Sequence, residues 1–127
     1  MDLNNIEKMV LNKLFEGDHP ALATLREQAV GAWVRARELT GSGFFTEFSL
    51  RPDAKPLLLP FEGIKIDDVM ATAKELKGGI GFILDINNGF IETLEGYTYE
   101  EPWPGNTVAL HLYYENPTRD KLFERFG

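Results

Sequence analysis

The stretch IGFILDINNGFIETL, residues 80–94, decides the fold of this chain. Its first half carries apolar side chains at every second position, the period of a half-buried strand: Ile80, Phe82, Leu84 and Ile86. The dipeptide Asn88-Gly89 follows, and it is typical of a type I′ turn, in which both central residues need positive φ. Residues 90–94 then return as a second strand. The stretch predicts a β-hairpin and, with it, an antiparallel sheet.

Two amphipathic segments near the N-terminus predict helices. Residues 3–15 place apolar side chains on one helical face, and Asn4 and Glu7 have the spacing of a capping box. Residues 20–30 form the second predicted helix, with Asp18 as the residue that caps it. The predicted helices therefore precede the predicted strands along the chain.

The rest of the chain follows the strand period, apart from its end. The predicted elements are a hairpin over residues 32–37 and 44–50, a loop over 51–60, a last strand over 108–114 and a short helix over 118–126. Residues 67–76 fit a helix as well as a strand, and the strand is the preferred interpretation. This order predicts an α+β fold, with two N-terminal helices followed by a curved, mostly antiparallel sheet of five or six strands. Whether the sheet closes into a barrel is left open.

Composition limits the class of protein. The chain has 127 residues, of which 43% are hydrophobic and 26% charged, so residues 1–127 are predicted to fold as a single domain. Cysteine is absent, which excludes disulfides, thiolate zinc sites and cysteine nucleophiles. The N-terminal sequence lacks the basic start and apolar run of a signal peptide, and no apolar run reaches the ~20 residues of a membrane span. These features predict a cytoplasmic protein.

The net charge of −7 argues against some partners and is concentrated in one region. Lys and Arg number 13 against 20 Asp and Glu, which disfavours nucleic acids and anionic membranes as partners. Residues 78–118 contain six acidic side chains, seven aromatic ones and no Lys or Arg. A basic protein or peptide is the partner that this charge would attract.

The centre of that region, LEGYTYEEPWP at residues 94–104, is the predicted binding segment. Its candidate binding residues combine aromatic rings with acids: Tyr97, Tyr99, Glu100, Glu101 and Trp103. Tyr and Trp are enriched among the residues that dominate binding energy, and the prolines on both sides of Trp103 stiffen the segment. Two alternatives stay open, namely that Trp103 plugs the end of the sheet core and that the chain forms a homodimer.

Catalytic and metal-binding patterns are weak. The chain has two histidines, and it has neither a Gly-x-Ser-x-Gly elbow nor a His-x-x-x-His pair, so no metal or cofactor is expected. The alternative function is a small hydrolase or ligand-binding enzyme in which Glu92 or Glu95 is the acid/base. Arg35 and Arg37 would then hold an anionic substrate, although internal ion pairs with the acidic region are the preferred interpretation of the two arginines.

Three motifs together resemble those of a group of small bacterial proteins of unknown function. They are GDHP at residues 17–20, GFFTEF at 43–48 and LEGYTYEEPWP at 94–104. The resemblance covers most of the chain, and it implies a bacterial cytoplasmic origin and a strand within residues 67–76. It implies no activity and no catalytic or binding residue. A non-enzymatic interaction module is therefore the function predicted from the sequence.

Overall fold

The computed structural model describes residues 1–59, 62–105 and 108–127. Its elements, in chain order, are α1 (Asn5–Leu14), α2 (Pro20–Val30), β1 (Trp33–Leu39), β2 (Gly43–Ser49), β3 (Gly63–Ile66), β4 (Val69–Thr72), β5 (Ile80–Asn87), β6 (Phe90–Thr98), β7 (His111–Tyr114) and α3 (Asp120–Phe126). The α+β prediction is confirmed, with two N-terminal helices ahead of a sheet.

The described residues form seven strands rather than the predicted five or six. The count differs because residues 63–72 form two short strands, β3 and β4, on either side of Asp67 and Asp68. The Asp68 carboxylate accepts a hydrogen bond from Nε of Arg119 at 2.7 Å, which holds the chain at this break. Within residues 67–76, the strand interpretation is confirmed for β4, and no strand continues from Ala73 to Gly79.

The strands form one antiparallel sheet in the order β1-β2-β6-β5-β4-β7, with β3 beside β5. Its central pair is the predicted hairpin of β5 and β6. Asn88 and Gly89 join these two strands with φ values of 52° and 86°, the positive φ that a type I′ turn requires. Over the described ranges, β1 and β7 at the two ends of this order do not pair with each other, so the sheet is open.

Two other predicted segments are shorter or less complete than expected. The last strand, predicted over residues 108–114, forms only as β7, from His111 to Tyr114. In the loop predicted over 51–60, residues 51–59 contain neither helix nor strand, and Pro60 lies outside the described residues. The terminal helix is confirmed as α3.

The helix caps are partly as predicted. Asn4 and Glu7 form the capping box of α1, in which each side chain accepts a hydrogen bond from the backbone N–H of the other. The prediction that Asp18 caps α2 is wrong. His19 directly precedes Pro20 at the first helical position, and its Nδ1 accepts a hydrogen bond from the Ala21 N–H at 3.0 Å.

The core lies between the helices and one face of the sheet. Alternate residues of the central strands are buried there: Phe44, Thr46 and Phe48 of β2, Ile80, Phe82, Leu84 and Ile86 of β5, and Leu94 of β6. Leu14, Leu25 and Leu122, one from each helix, belong to the same hydrophobic cluster as the apolar members of this set. Successive side chains on a strand point to opposite faces, so the intervening residues lie on the face that the helices leave uncovered.

Candidate interaction surface

The uncovered side of the sheet, the open face, carries a layer of mixed aromatic, apolar and acidic side chains. Its central residues lie in register on five strands: Phe45 of β2, Glu95 and Tyr97 of β6, Gly81 and Ile83 of β5, Met70 of β4 and Tyr113 of β7. Phe45 is 40% exposed and Tyr113 is 41% exposed. Large apolar side chains gathered on one surface are typical of an interaction site.

The ring of Tyr97 occupies space that Gly81 leaves free. Its neighbours across the strands are Gly43 on β2 and Gly81 on β5. The ring lies over Gly81, where an added Cβ would be closer to the ring than van der Waals contact allows. The ring of Tyr99 meets that of Tyr97 edge to face, with centroids 5.5 Å apart and an interplanar angle of 75°. Burial and the neighbouring Tyr99 hydroxyl raise the pKa of Tyr97 to about 12.

Glu95 is the acid at the centre of this face. Its register partners are Phe45 on β2 and Ile83 on β5, so its side chain stands in an apolar row and is half-buried. Burial raises the pKa of Glu95, the charge of Asp85 adds to the rise, and the charge of Lys65 opposes it. No hydrogen-bond donor from the described part of the chain binds its carboxylate. A partly desolvated carboxylate without a partner is unfavourable in the isolated protein.

Two cations from the strands beyond those that neighbour Glu95, Lys65 of β3 and Arg35 of β1, are already paired. Lys65 donates a hydrogen bond to Asp85 at 2.7 Å, and the other Asp85 oxygen accepts one from the Thr93 hydroxyl. Arg35 binds Glu47 at 3.2 Å. The open face therefore has internal ion pairs at its margin and an uncompensated acid at its centre.

Two further acids extend the negative charge of the open face. Glu38 is exposed and is the register partner of Phe45 on the far side from Glu95. The negative charges of Asp67 and Glu95 both contribute to the raised pKa of Tyr97. Asp67 therefore lies close to the pair of Tyr97 and Tyr99. Together these acids surround the aromatic side chains.

Of the five candidate binding residues, Tyr97 and Tyr99 lie on or beside the open face, whereas Trp103 packs on the core. The Trp103 ring meets Phe44 at 5.2 Å in an edge-to-face arrangement, and its backbone N–H donates to the Gly41 carbonyl at 2.8 Å. Phe44 points toward the helices, so Trp103 closes that side of the sheet. These contacts are those of the plug that the sequence left as an alternative.

Backbone N–H groups hold the carboxylate of Glu101, whereas Glu100 is exposed. The Glu101 carboxylate accepts hydrogen bonds from the backbone N–H groups of Lys77 at 3.0 Å and Gly78 at 2.8 Å. These two bonds lower the pKa of Glu101. Glu100 is exposed and has a φ of 59°, a left-handed conformation within the turn. Glu101 therefore ties the end of β6 to the turn that precedes β5.

Arg35 and Arg37 form internal ion pairs, but their partners lie outside the acidic region of residues 78–118. Arg37 donates two hydrogen bonds to Glu7, from Nε at 2.9 Å and from a terminal nitrogen at 2.8 Å. Arg35 binds Glu47 instead. The two arginines were expected on one face of their strand, and a register shift between Val34 and Ala36 separates them.

The structure separates Arg37 from Glu95, two residues of the predicted enzyme site. Arg37 lies beneath α1, on the helix side of the sheet, whereas Glu95 lies on the open face. Glu92 is exposed at the irregularity between β5 and β6, where the register shifts after Asp85. This arrangement gives no shared pocket for Glu95 and Arg37.

A cleft of about 580 Å³ lies between the β3–β4 turn and α3. Side chains of both charges line it: Lys65, Asp67, Glu115, Lys121 and Arg125. Its wall includes the buried Arg119, which binds Asp68 at 2.7 and 2.8 Å and the Leu14 carbonyl at 2.8 Å. Lys65 is bound to Asp85 outside the lining, so the remaining charges are two positive, Lys121 and Arg125, against two negative, Asp67 and Glu115. The cleft therefore favours neither an anion nor a cation, and it is a weaker candidate site than the open face.

The open-face residues that sequence reasoning missed are Phe45, Ile83, Met70 and Tyr113. Each alternates on its strand with residues that belong to the core or pack against it, and this alternation is the signal that could have placed them together. What the alternation does not reveal is which face the helices cover.

The described residues contain neither a cluster of metal ligands nor a helix that could cross a membrane. No group of three or more His, Cys, Asp or Glu side chains among residues 1–59, 62–105 and 108–127 could hold a metal ion. None of the three helices that the structure describes is long and apolar enough to cross a membrane.

Comparisons with protein-family models, curated proteins and solved structures give no match to this chain. The resemblance carried by the three sequence motifs therefore stays a prediction.

Proposed function

We propose that this protein is a non-enzymatic interaction module of the bacterial cytoplasm, and that its open face binds a basic protein or peptide. The observation that carries the proposal is the presence, on one uncovered sheet face, of exposed aromatic rings together with acids that lack counter-charges. The absence of cysteine and the resemblance to small bacterial proteins support the compartment.

The aromatic side chains supply the binding energy in this proposal. Phe45 and Tyr113 are exposed on two different strands, and Tyr97 of β6 lies between them in the sheet order. Tyr99 follows directly after β6 and packs on Tyr97. Rings on neighbouring strands are held by the sheet, so little conformational entropy is lost when a partner covers them. Tyr is also enriched among the residues that dominate binding energy.

The acids determine the kind of partner. Glu38, Asp67 and Glu95 have no ion-pair partner in the described part of the chain, and the whole protein carries a net charge of −7. A second copy docked face to face would set these acids against each other, and like charges placed together across an interface oppose binding. A basic partner offsets them and associates faster. The charge of this face therefore favours a basic partner over self-association.

The test is affinity capture from a bacterial lysate with matched surface variants. The open-face variant carries Phe45→Ala and Tyr113→Ala. The control carries Val30→Ala and Leu58→Ala, two apolar side chains that are each 86% exposed and lie outside the strands. We expect one basic protein to be recovered with the wild type and the control and lost with the open-face variant. We also expect recovery to decline as salt rises, because salt screens the acids.

Three results would contradict the proposal. They are an empty capture with folded wild-type protein, equal loss of the partner in both variants, and a recovered partner that is acidic. A dimeric mass in solution that the open-face variant alone reduces to that of the monomer would also contradict it, because the face would then bind a second copy.

A further inference from the structure

We infer that Glu95 is the anchor for a single arginine side chain of the partner, which it binds against the flanking aromatic rings. This inference rests on the proposed function and names the chemical group that the open face recognises. It is carried by the position of Glu95, by the pairing of its neighbours and by the rings around it.

The position of Glu95 is that of an incomplete ion pair. Phe45 and Ile83 flank it in register, and its side chain is half-buried between them. Partial burial removes water from the carboxylate, and within the described ranges no donor replaces that water. A cation brought by a partner would restore the missing interaction. Glu95 is therefore the residue of the open face that a bound cation would stabilise most.

The chain's own cations do not provide that interaction. Lys65 is held by Asp85 at 2.7 Å, Arg35 by Glu47 at 3.2 Å, and Arg37 lies on the other side of the sheet. Moving Lys65 or Arg35 to Glu95 would leave Asp85 or Glu47 without its partner. Asp85 and Glu47 thus have cationic partners, whereas the described part of the chain provides none for Glu95.

Arginine fits this position better than lysine. The guanidinium group is planar, stacks on aromatic faces and loses its hydration more readily than an ammonium group. Phe45 stands on one side of Glu95, and Tyr97 lies two residues along the same strand, so rings are available beside the carboxylate. A carboxylate can accept two parallel N–H bonds from a guanidinium group, a geometry that lysine does not offer.

The probe is a set of three short, otherwise identical peptides that carry arginine, lysine or uncharged citrulline at one central position. Each is titrated into isotopically labelled protein, and amide shifts are followed by NMR. We expect the arginine peptide to shift the amides of Phe45, Ile83 and Tyr97, with affinity in the order arginine, lysine, citrulline. Glu95→Gln should weaken arginine binding roughly tenfold.

The matched control is Glu92→Gln, which removes a charge from the same strand at an exposed position away from Phe45. The affinity of this variant for the arginine peptide should stay within about twofold of that of the wild type, a difference of about 0.4 kcal/mol in binding free energy. The thermal stability of both variants shows that they are folded. No shift at the open face, equal binding of citrulline and arginine, or equal effects of the two Gln variants would overturn the inference.

The lysate capture separates this inference from the proposed function. If Glu95→Gln retains the basic partner that the Phe45→Ala/Tyr113→Ala variant loses, the open face is the binding surface and Glu95 is not its anchor. If neither variant affects capture, both ideas are wrong.

Discussion

Arg37 on β1 reaches beneath α1 and holds the Glu7 carboxylate in a two-bond ion pair, with distances of 2.9 and 2.8 Å. Glu7 is fully buried, and it also accepts hydrogen bonds from the Thr46 hydroxyl and the Asn4 backbone N–H. One carboxylate therefore caps its own helix and joins that helix to two strands of the sheet.

We expect Glu7→Gln to lower the free energy of unfolding by about 3 kcal/mol, because it removes one partner of a buried ion pair and leaves Arg37 without its counter-charge. Urea denaturation measures this difference. Glu27→Gln, at an exposed position of α2, is the control and should unfold like the wild type. Equal stability of the Glu7 variant and the wild type would show that the ion pair contributes little.

The same carboxylate should make stability depend on pH. Burial would raise the pKa of Glu7, but the hydrogen bonds from Arg37, Thr46 and Asn4 outweigh it and leave the pKa below its ordinary value. A lowered folded-state pKa gives stabilisation that is complete above the unfolded-state pKa, about 4.3, and that disappears as pH falls through the folded-state pKa. The stability gap between wild type and Glu7→Gln should stay constant near neutral pH and narrow in acid. A gap that widens in acid would contradict this sign.

Gln28 should be intolerant of a negative charge. Its Nε2 donates to the carbonyls of Lys55 and Gly89 at 2.8 and 2.9 Å, and its Oε1 accepts from the Ile91 N–H at 3.0 Å. Gln28→Glu sets a buried carboxylate against two carbonyl oxygens, so we expect a loss of about 3 kcal/mol at neutral pH. Because the buried carboxyl has a raised pKa, part of this loss should be recovered as pH falls and it becomes protonated.

Gln28→Leu is the matched variant for this test. It also leaves the three backbone groups without partners, but it has no titrating group, so its loss should not change with pH in the same way. Denaturation of both variants at several pH values distinguishes the effect of the buried charge from that of the lost hydrogen bonds. Parallel pH profiles would show that charge is not the cause.

Gly81→Ala should move the Tyr97 ring off the sheet, since its Cβ would overlap the ring. Burial raises the pKa values of Tyr97 and Tyr114 to about 12, so two of the four tyrosines should titrate late in the ultraviolet spectrum. In Gly81→Ala, one of these two should return toward about 10. Tyr97→Phe assigns the Tyr97 titration, and an unchanged profile for Gly81→Ala would contradict the packing described.

The sequence predicts the turns and helix caps of this fold better than it predicts its surfaces. The turn at Asn88-Gly89 and the capping box of Asn4 and Glu7 are encoded by neighbours in the chain, so their patterns predict them directly. The separation of Arg35 from Arg37 depends on one extra residue in the β1–β2 register, and an alternating pattern gives no sign of it.

The sequence also predicts the candidate site only in part, because tertiary contacts decide which residues it contains. Tyr97 stands out in the sequence because it belongs to an acidic and aromatic segment, but Phe45, about fifty residues earlier, becomes its neighbour only through sheet pairing. The sequence leaves open whether Trp103 plugs the core or binds a partner, and it does not show that Glu101 is held by backbone groups, because their contacts with Phe44 and the Gly78 backbone are tertiary. Composition locates the charge of the segment but not the direction in which each side chain points.

Because the helices cover only one face of the sheet, successive residues of β6 differ in how well they tolerate substitution. Leu94, Gly96 and Thr98 face the helices, while Glu95 and Tyr97 between them face outward. Packing against the helices constrains the first set, and the partner that we propose would constrain the second, so successive residues of the strand would be under two separate selective pressures. A new binding preference can therefore arise by substituting every second residue, with the buried positions unchanged.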